Sequence, residues 1–540
     1  MNGADVLVRR LADAGVRWVF GIPSGPVLPL IEALRQSDIR FVLTTSETSA
    51  GFMAATVGHL TGVPGVCVAT VGPGATNLTT GVGAAWLDRA PVLALTCNVE
   101  SAWLERRIQM RIDHCALFRT LTKDTRVLTS DSVDQAVLDA LLLARLEPPG
   151  PVHLDLPEDV AIATAAMSGR PPVVDAALPD CSESVARTVA AALQRSRRPL
   201  LVTGLGATRL HSRAHLRQFV ERHRIPHVST LHAKGVLPES HPLWCGVLGR
   251  ARRTTVQRLV SQADLIIAIG FDPVEINYEE WIGTTPLVHV DWQVADVSAE
   301  VDVVLNAGGD LERATESLCA LPPASNDWDT DRLAEHRRVL DHELRPPTTS
   351  FTTDQVLDTL RARMPSDAIL TYDVGAHTHQ VATQWRTDLP DTCISTNGWS
   401  SMGFGMPSAY AAKLVHPDRM VVSVVGDGGF LMTAGELGVA RRLNLEVPVV
   451  VLNDGWLGLM KVKQERRQLP LSGVELGPPP DSPPHYFGVP CLPARTAAEF
   501  QTAMEWALAL GGPSVIEAFV DVAPYSLTVF DQAEPRTSHQ

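Results

Sequence analysis

The 540-residue chain has no closely spaced cysteine pair: Cys67, Cys97, Cys115, Cys181, Cys245, Cys319, Cys393 and Cys491 are scattered along it. Such spacing offers neither a zinc site nor a disulfide framework. Several of these thiols sit in apolar runs such as Val66-Cys67-Val68, where a buried, reduced cysteine is expected. Long hydrophobic runs are missing too; none reaches the roughly 20 residues that span a bilayer. The opening MNGADVLVRRLADAG reads as an amphipathic helix and not as a signal peptide. Positive charge is in deficit. The net charge of −14 argues against a nucleic-acid or anionic-membrane surface. A soluble cytoplasmic protein with no nucleic-acid and no membrane partner is therefore expected.

What the chain does have is ordinary globular composition, 45% hydrophobic and 20% charged, and length for three or four domains at roughly 150 residues each. Residues 1–165 alternate helical patterns with the apolar runs RWVFGI, GVCVAT, PVLALT and GPVHLDLP. A proline-rich stretch, 170–184, reads as a linker. The block 185–320 carries RPLLVTGLG, ADLIIAIG and TPLVHVD. A second linker is expected over roughly 321–350. The block 350–530 carries DAILTYDVG, RMVVSVVGDG and VPVVVLNDG. Buried strands alternating with helices predict an α/β fold of three consecutive doubly wound parallel-sheet domains. In such sheets, ligands collect at the carboxyl ends of the strands.

The sharpest local signal is Gly426-Asp427-Gly428-Gly429-Phe430. The strand VVSVV delivers the chain to Asp427, and two glycines then permit close backbone approach to a ligand. A helix expected to begin near Thr433 points its N-terminus at an anion. A second strand, VPVVVL, ends at Asn453-Asp454-Gly455, which puts Asp454 27 residues after Asp427. Two carboxylates at strand ends suit a hard cation such as Mg²⁺, with the Trp456 carbonyl as a further ligand. The plain alternative is a pair of ordinary strand-to-helix turns.

GDG followed by a helix, a strand and an Asn-rich turn resembles the thiamine diphosphate enzymes. Asp454 stands where the usual ligand is Asn, and QERRQLPLSGVELGP (464–478) follows it. Both resemble the catabolic, FAD-independent acetolactate synthases. TSETSAGFMA matches the family's glutamate segment, and the resemblance makes Glu47 the group that activates the cofactor's aminopyrimidine. The plain reading of Glu47 is a helix-start carboxylate. Gly72-Pro73-Gly74-Ala75-Thr76-Asn77 resembles a turn near the same ring, which assigns Gly72 and Asn77 there. Gly25, in GIPSG, looks like part of the substrate-side loop. IDHCALFRTLTK resembles a synthase segment ending in a substrate-side lysine, here Lys123; a surface lysine is its alternative.

In the third block, Asn397-Gly398-Trp399-Ser400-Ser401-Met402-Gly403 resembles the segment under the cofactor. Met402 is then the wedge that bends the cofactor, and the Ser400 carbonyl holds its amino group. The resemblance assigns Gly375, Ala376, His377, Gly426, Asp427, Gly428, Gly429, Asp454, Trp456, Leu457 and Gly458 to the diphosphate end. Mg²⁺ falls to Asp427, Asp454 and Trp456. GFDPVEINYEEW (270–281) stands where FAD-dependent relatives carry an arginine segment, so FAD is not expected. The family places its active sites at a subunit interface, which implies a homodimer or homotetramer. The implied activity is decarboxylation of a 2-keto acid, by default pyruvate, with carboligation to a second carbonyl.

Three departures bear on the substrate. Ser46 replaces the usual His before the glutamate. Trp399-Ser400 replaces a Gln-Gln pair. Lys463 replaces a Gln nine residues after the second metal ligand; it reads either as an anion-binding lysine or as a solvated one. Competing readings are a decarboxylase that releases aldehyde, with His377 or His379 as proton donor, and a non-catalytic thiamine-fold subunit. A dehydrogenase is the weakest reading, because Gly204-Leu205-Gly206 lacks the full glycine pattern and an acidic partner.

Overall fold

A computed structural model describes residues 1–169, 177–477 and 481–529. The chain forms three α/β sheets in sequence. The first holds β1 (Trp18–Gly21), β2 (Arg40–Leu43), β3 (Gly65–Ala69), β4 (Val92–Asn98), β5 (Thr125–Val127) and β6 (Pro151–Pro157), in the order β2-β1-β3-β4-β6-β5. The second holds β7 (Pro199–Thr203), β8 (His227–Ser229), β9 (Trp244–Val247), β10 (Leu265–Ile269), β11 (Leu287–Asp291) and β12 (Val303–Gly308), in the order β12-β11-β10-β7-β8-β9. The third holds β13 (Ile369–Tyr372), β14 (Cys393–Ile394), β15 (Val421–Gly426), β16 (Pro448–Asn453), β17 (His485–Tyr486), β18 (Val489–Ala494) and β19 (Ser514–Phe519), in the order β14-β13-β15-β16-β19-β18-β17. Pairing between these strands is parallel, except that β17 runs antiparallel to β18.

The strands follow from composition. GVCVA, LIIAI and VVSVV are runs rich in β-branched residues, and each is buried almost throughout. Helices cover both faces, so these strands need no polar alternation. Among the described residues, no helix is long and apolar enough to cross a membrane.

One expectation changes. The stretch read as the second linker contains a 14-residue helix, Thr330–Glu343, capped by Asp329. Only Leu333 and Leu340 are buried on it, so its pattern is too sparse to read from apolar spacing. Part of the first linker, residues 170–176, lies outside the described residues.

The first and third blocks share a core. The helix Glu47–Thr61 packs on the helix Gly405–Val415. Phe52 meets Phe404 edge-on at 5.4 Å, and Thr56 Oγ1 donates to Ser408 Oγ at 2.9 Å. On its other side, the Glu47–Thr61 helix approaches the helix Pro73–Leu87 through Gly51 and Gly81. A Cβ on Gly51 would stand 2.6 Å from the Gly81 Cα, so this crossing admits no side chain at either position.

In the second block the glycine pair does meet an acidic residue. A Cβ on Gly206 would lie 2.1 Å from Asp291 Oδ1, at the end of β11. That oxygen has no hydrogen-bond partner. Burial pushes Asp291 up to about 7, against the pull of Arg209. A carboxyl raised in the folded state is ionised in the unfolded chain first, so stability falls as pH rises from its ordinary 3.8 toward 7. Asp291→Asn is expected to raise the melting temperature at about pH 8, with the gain disappearing near pH 4. Calorimetry at the two pH values checks it; an equal shift at both would assign the effect to packing.

Candidate active site

The aminopyrimidine-side residues gather at the carboxyl edge of the first sheet. Ser46 caps the helix Glu47–Thr61, its Oγ accepting from Thr48 N at 3.2 Å. This accounts for serine at 46: its side chain is turned to its own helix, and such a cap contributes about 1 kcal/mol. Glu47, at the first helical position, is 7% exposed. Its Oε2 accepts from Asn77 Nδ2 at 3.2 Å, and a Cβ on Gly74 would come within 3.3 Å of its Oε1. Ser24, next to the exposed Gly25, donates to Thr70 Oγ1 at 2.5 Å, which ties the Gly25 loop to the same edge.

Gly72 adopts φ +69°, and a Cβ there would stand 2.3 Å from the Met110 carbonyl oxygen. Its amide donates to His114 Nε2 at 3.2 Å. His114 Nδ1 is 2.9 Å from Asp155 Oδ1. With Nε2 accepting, the ring proton is on Nδ1, facing the aspartate. Asp155 and His114 therefore hold the Gly72–Asn77 turn in register with Glu47. Neither was singled out from the sequence, although His114 lies inside the segment quoted for Lys123.

Lys123 does not belong to this cluster. Its Nζ donates to the carbonyls of Leu146 at 2.6 Å and Pro148 at 2.9 Å, and its amide bonds Pro151 at the start of β6. Glu47 follows the end of β2. In a parallel sheet these are opposite edges, so the chain's own Lys123 is a structural clamp and not a neighbour of its own Glu47. Burial lowers its amine to about 8.

The diphosphate-side residues converge in the third sheet. The helix begins at Asp427 itself, not near Thr433, and ends at Thr433. Asp427 Oδ1 accepts from Gly428 N and Oδ2 from Gly455 N, each at 2.8 Å. Asp454 Oδ1 accepts from Trp456 N at 2.9 Å. Burial, followed by the charge of Asp427, pushes Asp454 up to about 8. Segment 455–457 is held by Leu457 N to Val474 O at 2.7 Å and Leu476 N to Gly455 O at 2.8 Å; the Trp456 carbonyl is in neither bond. A Cβ on Gly458 would lie 3.4 Å from Asp454 Oδ2, and one on Gly428 would lie 2.9 Å from Leu457 Cδ2 and 3.0 Å from Met402 Cε. Met402, Gly428, Asp454, Leu457 and Gly458 are thus brought together.

The glycines of the GDGG run serve packing as well as ligand approach. A Cβ on Gly429 would stand 1.7 Å from Asp373 Oδ2. Asp373 is buried and accepts from Gly403 N at 2.9 Å and Phe404 N at 3.2 Å, so it anchors the loop that carries Met402. Ser400, in that loop, adopts φ +52°, an uncommon conformation for a residue with a side chain. Gly375 caps the helix Ala376–Gln384, whose first amides have no partner within the helix. The His377 ring lies close to Gly375 and Gly426, and its buried Nε2 has no partner.

Trp399 and Lys463 are placed differently from one another. The Trp399 indole lies against Gly83 of the helix Pro73–Leu87; a Cβ there would be 2.7 Å from the ring. It therefore packs the first block on the third. Lys463 is exposed, and its charge is among those that depress the buried His379.

Among the described residues, no three His, Cys, Asp or Glu side chains form a metal cluster. Two carboxylates and a carbonyl fit a hard cation completed by phosphate oxygens, and the unpartnered His377 Nε2 fits a hydrogen bond to such an anion. Within the chain, no hydrogen bond among the described residues joins Glu47 to this half. Thr45, two residues before it, is hydrogen-bonded to the third block, its N and Oγ1 donating to Glu436 Oε1 at 3.1 and 2.5 Å.

Comparison with known proteins gives one consistent result. Residues 1–117 match the N-terminal TPP binding domain of thiamine pyrophosphate enzymes, 186–318 the central domain, and 373–518 the C-terminal TPP binding domain. The chain is 31% identical over 470 residues to the acetolactate synthase isozyme 1 large subunit of Escherichia coli, covering 86% of this chain and 83% of that protein. It is 31% identical over 537 residues to the catabolic acetolactate synthase of Raoultella terrigena, covering 96% and 95%. It is 29% identical over 487 residues to the acetolactate synthase of Bacillus subtilis, covering 88% and 85%.

Proposed function

Since the chain belongs to the thiamine pyrophosphate enzyme family, we propose that this thiamine diphosphate-dependent enzyme decarboxylates pyruvate and joins the remaining acetyl unit to a second carbonyl compound. The observation that carries the reading is the pair of half-sites, Glu47 with Asn77 and Asp427 with Asp454. Glu47 with Asn77 would hold the pyrimidine end of the cofactor and Asp427 with Asp454 its diphosphate end, and the chemistry it would supply is a nucleophilic carbon and an electron sink for decarboxylation.

Glu47, screened from water and fixed by Asn77, would be the group that exchanges a proton with a bound cofactor's ring nitrogen. Asp427, Asp454 and the Trp456 carbonyl would hold Mg²⁺ with the diphosphate. His377 Nε2 and the first amides of the helix Ala376–Gln384 would donate to the same group. Met402, in the loop anchored by Asp373, would support the cofactor ring. No flavin takes part.

Leu431 and Met432, directly after GDGGF, are 68% and 64% exposed. Such an apolar pair beside the metal residues supports a homodimer or homotetramer in which a second subunit covers this face. A proton donor for aldehyde release is harder to find. Burial holds His377 at about 4 and His379 at about 3.

The test is incubation with thiamine diphosphate, Mg²⁺ and pyruvate, with products identified by mass spectrometry. 2-Acetolactate is expected. Acetaldehyde alone would replace the carboligase with a decarboxylase, and bound cofactor without turnover would rule out pyruvate as donor.

A further inference from the structure

The segment that carries Ser400 and Met402 has no strand ladder to hold it. It runs from the end of β14 to the helix Gly405–Val415. Among the described residues, the amides of 396–404 make no backbone-to-backbone hydrogen bond. Two carboxylates take the place of a ladder. Asp373 holds the rear of the segment, at Gly403 N and Phe404 N. Asp88, from the first block, holds the front. Its Oδ1 accepts from Asn397 N at 3.1 Å and Gly398 N at 2.8 Å, and its Oδ2 accepts from Thr396 Oγ1 at 2.5 Å.

Asp88 directly follows the helix Pro73–Leu87, and the segment lies across that helix end. A Cβ on Gly398 would stand 2.5 Å from Leu87 Cβ, and Trp399 covers Gly83 one turn earlier. The second block braces the same point. The Glu275 carbonyl accepts from Asn397 Nδ2 at 3.1 Å. The His232 ring bridges Glu275 Oε1 and the Ser395 carbonyl, at 3.0 and 3.2 Å. Between the two aspartates stands Ser400, at φ +52°. That conformation is strained for a residue with a side chain and persists only where its surroundings over-determine it. Here Asp88 and Asp373, one on either side, do so.

We propose that Asp88 is a positioning residue: it holds Ser400 in the left-handed conformation and so sets where the Ser400 carbonyl and Met402 would meet the cofactor. The inference rests on the reading above that puts the cofactor ring at this segment. With Asp88 removed, the front of the segment loses three bonds at once, and serine leaves the left-handed region. Glycine occupies that region freely. The diphosphate end is built on other loops, at Asp427 and Asp454, and does not depend on Asp88. Loss of Asp88 therefore acts on turnover more than on cofactor affinity.

Hydrogen exchange of the full chain, read by mass spectrometry without cofactor, tests the clamp itself. In wild type, residues 396–404 are expected to exchange roughly tenfold or more slowly than open chain, although they lie outside helix and strand. Asp88→Ala is expected to remove that protection at 396–400. With thiamine diphosphate and Mg²⁺ it is expected to change the near-ultraviolet circular dichroism of the bound cofactor and to lower kcat by about tenfold to a hundredfold. The cofactor's dissociation constant is expected to stay within about threefold, since it is set at the diphosphate end. Asp88→Asn is expected to lose less than about threefold, because its oxygen still accepts from both amides and its Nδ2 donates to Thr396 Oγ1. Adding Ser400→Gly to Asp88→Ala is expected to recover about threefold or more in kcat, because glycine reaches the left-handed region without help. A contact that only stabilised the fold would give no such recovery. Wild-type exchange at the open-chain rate, wild-type turnover in Asp88→Ala, or equal kcat in the single and double variants would overturn the proposal. The wild-type exchange needs no variant, so it judges the clamp even if Asp88→Ala does not fold. Absence of pyruvate turnover in wild type would count against the donor assignment alone, because exchange and circular dichroism still judge Asp88.

Discussion

Replacing Glu47 with glutamine is expected to lower turnover by roughly 10²–10⁴-fold, the usual worth of a positioned general acid or base, while cofactor binding persists. Glutamine has the same shape, starts the same helix behind the Ser46 cap, and its carbonyl oxygen still accepts from Asn77. What it lacks is a proton that can be exchanged with a ring nitrogen. The effect should therefore appear in kcat, with the cofactor's dissociation constant within a few fold of wild type. Titrating thiamine diphosphate by tryptophan fluorescence beside steady-state kinetics separates the two. A variant that retains a third or more of its turnover would remove Glu47 from the chemistry.

The second large effect concerns the metal. Asp427 receives two backbone amides and stands beside a second buried carboxylate. Burial and that neighbour push Asp454 up, a cost that a bound dication reverses. In wild type, Mg²⁺ with thiamine diphosphate at about 100 times its dissociation constant should stabilise the fold by about 2.7 kcal/mol. Asp427→Ala is expected to abolish that gain and to reduce cofactor affinity beyond the roughly 10–100-fold that losing a mere supporting partner costs. Asp454→Asn is expected to retain most of it, because an amide oxygen still suits Mg²⁺ and the like-charge contact is gone. Melting curves with and without Mg²⁺, with chelator as control, read both variants. Equal stabilisation of wild type and Asp427→Ala would place the cation elsewhere.

The parts of the molecule legible from sequence were those written locally. Buried strands such as LIIAI announce themselves by composition, and GDGG by its spacing from Asp454. Short or exposed strands did not: RFVL alternates irregularly in burial, and TRV is three residues at a sheet edge. The supports of the site were hidden for a different reason. Asp373 acts on Gly403, 30 residues away, and Glu436 on Thr45, 391 residues away; no local pattern encodes either partner. Lys123 shows the converse. Its segment looks like a substrate-side element, yet folding turns its amine to two carbonyls at the far edge of the sheet.

The shared core of the first and third blocks also sets a timetable for synthesis. Thr56 and Ser408 are joined across 352 residues, and Phe52 meets the ring of Phe404. At roughly 5–20 residues per second, a ribosome needs about 20 to 70 seconds between making one side of that contact and the other. During this interval the apolar face of the helix Glu47–Thr61 has no third block to cover it. The nascent chain must keep that face from other proteins until the third block has been made.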